Sequence, residues 1–228
     1  MTFQIGLLLF PNLTQLDLTG PYEVFTKFPD SKTHLVWKDR EPVTAGGGIQ
    51  IVPTTTFGEC PPLDLICVPG GSGVNALLND GRVLEFVKRQ AKGARYVTSV
   101  CTGALVLGAA GLLQGKRATT HWMSREMLSA FGATPVAERV VIDGNVITGG
   151  GVTAGIDFAL VVAAQAFGDD VARSIQLNIE YDPHPPFDAG APERAGPALV
   201  EKLRSASATR QVERQIAVDQ AAARLRPR

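Results

Sequence analysis

Residues 94–111 have the sequence ARYVTSVCTGALVLGAAG, and its two halves differ in residue class. The half that ends at Val100 is rich in β-branched and aromatic side chains, which predicts a short buried strand. The other half is rich in Ala, Leu and Gly, which predicts a tightly packed helix with Gly111 as its stop. Cys101 lies between the two halves. The stretch therefore predicts a sharp strand-to-helix turn that holds the Cys101 side chain up and out.

The rest of the chain alternates between apolar runs and segments with helical spacing. The predicted strands are 3–10, 33–37, 64–68 and 117–122, with a hairpin of 140–142 and 145–148 around Asp143-Gly144. The predicted helices begin near Pro21, after a turn that carries Asp17, and continue with 79–92, 124–132 (capped by Ser124), 154–167 and 170–181. This alternation predicts a single three-layer α/β sandwich with a mostly parallel sheet.

Three segments are less regular. Residues 41–62 hold three consecutive glycines and four prolines, which is typical of a loop or a small β excursion. Residues 182–198 are rich in Pro, Gly and Ala and predict an ordered crossing segment or a linker. Residues 198–226 are helical in composition and polar on most faces, so we expect them to pack on a partner or to fray.

The overall composition disfavours several classes of protein. Lys and Arg together number 22, as do Asp and Glu, so nothing favours a nucleic acid or an anionic membrane as a partner. No apolar run reaches the length of a membrane span. The three scattered cysteines favour a reducing cytoplasm and disfavour a structural zinc site. The glycines at 70–73 lack the Lys and Ser or Thr of a phosphate loop, which disfavours nucleotide binding.

Cys101 is predicted to act as a nucleophile. Free cysteines are more often inert core residues, and we interpret Cys60, before two prolines, and Cys67, inside an apolar strand, in that way. At Cys101 the turn between strand and helix reverses this expectation. The helix that follows directs its partial positive charge at the sulfur, which favours the reactive thiolate.

Other candidate residues follow neighbouring strands. Ligand sites in such sheets form outside the carboxyl ends of the strands. This rule selects four stretches, namely Asp17, 70–73, 101–102 and 149–153. We expect the backbone N–H groups of Gly71 and Thr102 to bind a developing anion. Gly70, Gly150 and Val152 complete the predicted substrate-binding set.

The acid that partners Cys101 is predicted to be Asp17. Burial and a neighbouring thiolate both disfavour its ionisation, so Asp17 would hold a proton that it can donate to the sulfur and later give up. Glu23, one turn further on, is the alternative acid. His121 is the histidine that could come near, although nothing in the spacing places it beside the thiol. Thr102 is the third predicted catalytic residue: its hydroxyl would hold the carboxyl or the covalent adduct by a hydrogen bond, although the residue could instead simply cap the helix.

Five motifs together resemble one superfamily. They are LDLTGPYEVF (16–25), CVPGGSG (67–73), SVCTGA (99–104), RATTHW (117–122) and GGGVTAGID (149–157). From the first strand to about Phe187 the chain resembles the ThiJ/PfpI superfamily and, within it, most of all the isocyanide hydratase family. The same motifs recur in the amidotransferase-like sensor domains of AraC-type regulators. The resemblance implies an α/β domain at 1–187 and a helical extension at 188–228, packed on the same domain or on a dimer partner.

The resemblance also implies a flavodoxin-like sheet, a homodimer, Cys101 as the nucleophile and Asp17 as its acidic partner. Thr102 stands where the proteases of the superfamily carry histidine, which argues against protease activity and puts glyoxalase chemistry in doubt. The implied reaction adds water to a small-molecule isocyanide, R–N≡C, and gives an N-substituted formamide. It proceeds through a covalent thioimidate on Cys101 and uses neither a metal nor an organic cofactor.

A sensor of ligands or oxidants is the competing class. The AraC-type regulators carry a helix-turn-helix region after the sensor domain. Here residues 199–228 follow the linker, and they show neither a second amphipathic helix pair nor a basic recognition helix, which favours the enzyme. A redox-sensing thiol protein needs an exposed cysteine of low pKa, and Cys101 would satisfy that requirement too.

Overall fold

One central sheet carries the fold in the computed structural model, which describes residues 2–225. The strands are β1 Phe3–Leu8, β2 Ser31–Trp37, β3 Val43–Thr44, β4 Gln50–Ile51, β5 Thr55–Thr56, β6 Leu65–Val68, β7 Tyr96–Val100, β8 Arg117–Ala118, β9 Thr134–Pro135, β10 Val140–Asp143 and β11 Val146–Gly149. Their order in the central sheet is β10-β11-β7-β6-β1-β2-β5, while β3 pairs with β4 and β8 with β9. Every pair of the central sheet is parallel except the β10–β11 hairpin at one edge.

Helices cover both faces of this sheet. They are α1 Gln15–Phe25, α2 Val74–Leu77, α3 Gly81–Ala91, α4 Gly103–Ala109, α5 Ala154–Phe167, α6 Asp169–Asn178, α7 Pro192–Ala195, α8 Pro197–Ala206 and α9 Ala208–Leu225, with a 3₁₀ helix at Trp122–Phe131. α1, α5 and α6 pack together on one face, and α2, α3, α4 and α9 pack with the 3₁₀ helix on the other. None of the helices between residues 2 and 225 combines the length and the hydropathy that a membrane span requires. The predicted three-layer, mostly parallel sandwich is confirmed.

β1, β6 and β7 form the buried centre of the sheet. Every residue of β6 is buried, as is every residue of β7 after Tyr96. Apolar and β-branched runs of this kind suit strands that are covered on both faces. β7 pairs in parallel with β6 on one side and with β11 on the other, and Val100 lies opposite Gly149. The carboxyl ends of these strands therefore meet at one edge of the sheet.

Several local predictions are confirmed. β7 and α4 flank Cys101, and Gly111 follows α4 with a φ of +75°. The predicted hairpin forms, but its turn lies one residue later, at Gly144-Asn145, because Asp143 still pairs with Val146. Asp80 caps α3, since its carboxylate accepts hydrogen bonds from two backbone N–H groups of the first turn. The segment 41–62 contains the small β excursion, as β3, β4 and β5.

The first helix begins earlier than predicted. α1 starts at Gln15 and contains Pro21, whereas the sequence predicts a turn at Asp17 and a helix only from Pro21. A proline inside a helix removes one hydrogen bond of the helix. Close packing holds the helix together across this gap, because the Cδ of Pro21 lies 3.1 Å from the position that a Cβ would take on Gly155 of α5. Asp17 therefore lies in the first turn of α1.

The segment after α4 also differs from the prediction. The predicted strand at 117–122 stops after the two residues of β8, and the predicted helix at 124–132 is the 3₁₀ helix. His121 rather than Ser124 caps that helix, because the Nδ1 of His121 accepts a hydrogen bond of 3.3 Å from the N–H of Met123. Sequence patterns favour a hydroxyl as cap and give no sign that an imidazole takes this place.

The C-terminal helix α9 packs on the core of its own chain. It buries an apolar stripe against α2, α4 and the 3₁₀ helix, made of Ala217, Val218, Ala221 and Ala222. Charged residues surround this stripe in the sequence, so the pattern alone indicates a helix that is polar on most faces. The predicted α/β domain at 1–187 begins with Met1, and the predicted extension at 188–228 ends with residues 226–228. These four residues lie outside the described residues. The boundary near 187 stays a prediction.

Candidate active site

Cys101 occupies a strained turn between β7 and α4. Its φ of +54° lies in the left-handed region, which is uncommon for a residue with a side chain. The N–H of Cys101 donates hydrogen bonds to the carbonyl groups of Gly149 and Gly150, at 3.0 and 2.8 Å. The carbonyl of Cys101 accepts a hydrogen bond of 2.6 Å from the hydroxyl of Thr120. The turn is thus fixed from both sides, at the edge where the strands end.

Asp17 lies beside Cys101, in the first turn of α1. Its side chain is wholly buried, and its Oδ2 accepts a hydrogen bond of 3.0 Å from the N–H of Gly70. Its Oδ1 is buried without a hydrogen-bond partner among residues 2–225. Gly70 separates the two groups, because a Cβ at this position would lie 2.7 Å from Oδ2 of Asp17 and 2.8 Å from Cβ of Cys101. The carboxyl and the thiol are therefore neighbours across a bare stretch of backbone.

Burial controls the protonation of this pair. It raises the pKa of Asp17 to about 7, and hydrogen bonds with Cys101 and Gly70 reduce the rise. Burial also raises the pKa of the Cys101 thiol, and the charge of Asp17 raises it further. The sequence predicts a thiolate favoured by the following helix, but burial outweighs the field of the seven-residue α4 in the resting site. Above about pH 7 the pair therefore holds one proton, which resides on the sulfur of Cys101.

The part of the chain that carries the cysteine turn and the buried carboxyl matches a known family. The model of the DJ-1/PfpI family matches residues 4–165, a range that includes both Asp17 and Cys101. The chain belongs to the DJ-1/PfpI family. The resemblance that the motifs indicate is thereby confirmed.

Three similar proteins differ in the share of this chain that aligns with them. The protein named isonitrile hydratase from Pseudomonas putida is 57% identical over 225 residues, which are 99% of each chain. A crystal structure of a ThiJ/PfpI family protein from Pseudomonas syringae matches with a TM-score of 0.89 and 43% identity, over 97% of this chain and 91% of that one. The HTH-type transcriptional regulator GbdR from Pseudomonas aeruginosa is 30% identical over 186 residues, which are 78% of this chain and 50% of the regulator.

Thr102 of this DJ-1/PfpI protein binds the loop after β6. Its Oγ1 accepts a hydrogen bond of 3.0 Å from the N–H of Gly71 and donates one of 3.3 Å to the carbonyl of the same residue. The side chain of Thr102 makes no capping hydrogen bond to the described part of α4. The N–H of Gly71, which we expect from the sequence to bind an anion, is thus engaged with Thr102. The N–H groups that hydrogen-bond to Cys101 and lower its pKa are those of Thr102 and Val152.

The remaining candidates lie at different distances from the pair. Glu23 is on the outer side of α1, where its side chain is 60% exposed and forms an ion pair of 2.7 Å with Lys27. His121 lines the same cavity as Cys101, a proximity that its sequence spacing does not indicate. Burial and the neighbouring charges of Arg214, Arg210 and Arg125 lower the pKa of His121 to about 4, so its imidazole is neutral at neutral pH.

A cavity of about 290 Å³ opens above Cys101. Its lining from the strand-end loops includes Gly71, Cys101, Thr102, His121 and Val152, and its lining from α9 is Arg210, Gln211 and Arg214. Such a cavity suits a small organic molecule. A second cavity of about 440 Å³ adjoins it at His121 and Val152 and is lined by Gly150.

The contribution of α9 to this site is absent from the sequence-based prediction. Its one sequence signal is the position of Arg214, one turn before Ala217 and Val218 on the same helix face. Nothing in the spacing relates that face to Cys101, because the contact depends on how α9 packs across α2, α4 and the 3₁₀ helix.

Proposed function

We propose that this DJ-1/PfpI protein is an isocyanide hydratase. It adds water to the terminal carbon of R–N≡C and releases an N-substituted formamide. The observation that carries the proposal is the 57% identity, over 99% of both chains, to a relative named isonitrile hydratase, a synonym of isocyanide hydratase. The buried pair of Cys101 and Asp17 supports it, since it offers both the nucleophile and the proton that the reaction needs.

In the first half of the reaction, the shared proton passes from the sulfur to Asp17 as Cys101 attacks. The isocyanide carbon is a weak, carbene-like electrophile, so attack is coupled to protonation. The sulfur forms a bond to the terminal carbon, and Asp17 gives its proton to the same carbon. The product is the thioimidate R–N=CH–S–Cys101, and Asp17 is left ionised.

In the second half, water adds to the thioimidate carbon. Asp17 takes a proton from the water and delivers it to the nitrogen, which gives R–NH–CH(OH)–S–Cys101. The hydroxyl then loses its proton to Asp17 while the C–S bond breaks, so the formamide R–NH–CHO leaves and Cys101 departs as thiolate. The pair again holds one proton. The sum is isocyanide plus water, and the reaction therefore requires neither a metal nor an organic cofactor.

The backbone around the pair has supporting roles in this proposal. The N–H groups of Thr102 and Val152 stabilise the thiolate as it attacks and as it leaves. Gly70 holds one oxygen of Asp17, and Gly71 holds the hydroxyl of Thr102. Gly150 belongs to the same arrangement, because its carbonyl accepts the N–H of Cys101 and so maintains the turn.

The experiment that tests the proposal is formation of N-arylformamide from an aryl isocyanide, separated by liquid chromatography. The wild-type protein is expected to turn over, and Cys101→Ala is expected to lose at least about a thousandfold in kcat, because the covalent route disappears. Cys60→Ala is the matched control, since Cys60 is a half-buried thiol that lies outside the lining of the described cavity. Formamide from neither protein would contradict the proposal and favour a ligand or redox sensor.

Two further features belong to the proposed function. We expect a homodimer, because α8 and α9 expose large apolar side chains, namely Leu199, Leu203, Val212 and Ile216. Light scattering should then give twice the 24.2 kDa of one chain. We also expect the protein to act in the cytoplasm and without nucleic acid or membrane as partner, because its nucleophile has to stay reduced and its charges balance at 22 of each sign.

A further inference from the structure

Arg214 is a charged residue within the buried stripe of α9. Its exposed fraction is 4%, and it precedes Ala217 and Val218 on the same helix face. A buried guanidinium costs free energy unless it is hydrogen-bonded and its charge is offset. No carboxylate among residues 2–225 lies within 4.0 Å of it. Other polar groups around the guanidinium must therefore stabilise its charge.

The guanidinium binds three neutral groups. Its Nε donates to Oδ1 of Asn75 at 3.0 Å, its Nη1 to Oγ of Ser124 at 3.0 Å, and its Nη2 to the carbonyl of Gly71 at 3.4 Å. These acceptors belong to α2, to the 3₁₀ helix and to the loop after β6. Arg214 therefore joins α9 to the three elements that surround it at the cavity.

The contact with Gly71 leads directly to the proposed catalytic pair. Gly71 has a φ of +142°, and a Cβ there would lie 2.5 Å from the carbonyl oxygen of Asn12. Gly71 has no side chain, so other residues can hold the loop at this point only through its backbone N–H and carbonyl groups. The N–H of Gly70 binds Asp17, and the N–H of Gly71 binds Thr102. A guanidinium on the carbonyl of Gly71 helps to fix the direction of both N–H groups.

Arg214 also brings a positive charge to the cavity that Cys101 lines. The titratable and charged groups nearest this thiol are Asp17 from α1, His121, and Arg210 and Arg214 from α9; Cys67 of β6 interacts with Asp17, and Arg125 of the 3₁₀ helix with His121. Asp17 opposes a thiolate, and His121 is neutral at neutral pH. A thiolate and Arg214 attract each other because their charges are opposite, and the charge of Cys101 raises the pKa of Arg214 while burial lowers it.

We propose that Arg214 is a positioning residue of the hydration reaction, an inference that rests on the function proposed above. Arg214 holds the loop so that the N–H groups of Gly70 and Gly71 stay directed at Asp17 and Thr102. Its charge stabilises the Cys101 thiolate that attacks the substrate. In this proposal α9 therefore lines the active site and also supplies a residue that acts in the reaction.

The test compares Arg214→Gln with Arg224→Gln. Arg224 lies on the same helix and donates a hydrogen bond of 2.6 Å to the carbonyl of Leu78, but it is outside the lining of the described cavity. It therefore controls for a general loosening of α9. The first measurement is alkylation of Cys101 by iodoacetamide between about pH 6 and pH 9, followed by mass spectrometry. Iodoacetamide is uncharged, and its reaction does not depend on isocyanide turnover.

We expect Arg214→Gln to slow alkylation about tenfold near neutral pH and to shift its pH profile upward by about one unit, because a stabilising charge is lost. Arg224→Gln should stay within about twofold of wild type. In isocyanide hydration, Arg214→Gln should lower kcat about tenfold or more with a smaller change in KM. Arg214→Lys keeps the charge but loses the fork of donors, so its alkylation rate should stay near wild type while its kcat falls.

Other outcomes separate the two proposals. An unchanged alkylation profile in Arg214→Gln, or equal losses in the Arg214 and Arg224 variants, would show that Arg214 merely anchors the helix. Should Arg214→Gln not fold, an unchanged kcat in folded Arg214→Lys would contradict the positioning role. If wild-type protein hydrates no isocyanide while Arg214→Gln still slows alkylation, the proposed function fails and the activation of the thiol by Arg214 stands.

Discussion

The N–H of Gly70 donates a hydrogen bond of 3.0 Å to Oδ2 of Asp17, whereas Oδ1 of the same carboxyl has no partner among the described residues. A buried carboxyl with one satisfied and one bare oxygen is costly to ionise. This explains why the pKa of Asp17 is raised to about 7. The bare oxygen is then the atom that can carry a transferable proton, and near neutral pH the group can act as acid or as base.

Asp17→Asn removes that proton and should lower kcat for isocyanide hydration at least about a hundredfold, the usual contribution of a positioned acid and base. Glu23→Gln is the matched control on the same helix, and it should leave kcat within about twofold because Glu23 is 60% exposed and paired with Lys27. Both variants are compared by steady-state formamide production. A loss in Glu23→Gln with retained turnover in Asp17→Asn would make Glu23 the proton donor.

The rate should depend on pH through Asp17. Below about pH 7 the Cys101–Asp17 pair holds two protons and lacks the base that accepts the proton of the thiol. We therefore expect kcat/KM to fall about tenfold per pH unit below this value. Above it the rate should stay level well past neutrality, since burial raises the pKa of Cys101. The measurement of kcat/KM runs from about pH 5 to pH 9. The rate with Cys101→Ala is subtracted as spontaneous hydrolysis. A kcat/KM that does not change with pH would contradict the role of Asp17 as the base that accepts the thiol proton.

The raised pKa also predicts that Asp17 lowers stability at neutral pH. The pKa of about 7 in the folded protein exceeds the ordinary value of 3.8, so the folded chain binds this proton more tightly than the unfolded chain. The resulting stabilisation is complete below the ordinary value and is lost as the pH rises to about 7. A shift of about three units corresponds to on the order of 4 kcal/mol.

Asp17→Asn stays neutral at every pH and avoids this loss. Its free energy of unfolding, relative to wild type, should therefore be higher at about pH 8 than at about pH 4, by up to about 4 kcal/mol. Urea unfolding at the two pH values measures this difference. An equal difference at both values would mean that the carboxyl is not held in its neutral form by the fold.

Gly70→Ala should disable the site without a change of any ionisable group. The added Cβ would lie 2.5 Å from the N–H nitrogen of Thr102 and 2.7 Å from Oδ2 of Asp17, so the backbone has to shift. We expect a cost of about 1–3 kcal/mol in the free energy of unfolding and a loss of at least about tenfold in kcat/KM. Gly81→Ala is the control, because a Cβ on Gly81 meets nothing within 4 Å. Thermal unfolding and kinetics on both variants check the prediction, and equal behaviour contradicts it.

The sequence predicts the residues that follow strand ends much better than those that arrive from elsewhere. Asp17, Gly70 and Cys101 each come directly after or near the end of a buried strand, so the parallel topology alone brings them to one edge. Arg214 belongs to a helix whose position depends on packing across three other elements, and no local pattern encodes that position. The periodicity of α9 predicts a helix but not which surface it covers.

The chemistry of the site depends on burial, which a sequence does not show. A helix that follows Cys101 suggests a thiolate, yet the same fold encloses the thiol and Asp17 so that both pKa values rise. Likewise, Thr102 occupies the N-cap position directly before α4, but its hydroxyl turns to Gly71 because the loop after β6 lies within reach. In both cases tertiary contacts outweigh a local preference.

The cavity above Cys101 takes one wall from segments between residues 12 and 152 and the other from α9. A ribosome makes the nucleophile turn long before it makes α9, and chains begin to fold from the N-terminus during synthesis. The half-made protein therefore has a sheet and a cysteine but no enclosed chamber around it. A chain truncated before residue 208 would expose the Cys101 thiol to solvent. The enclosed cavity forms only after α9 has been translated.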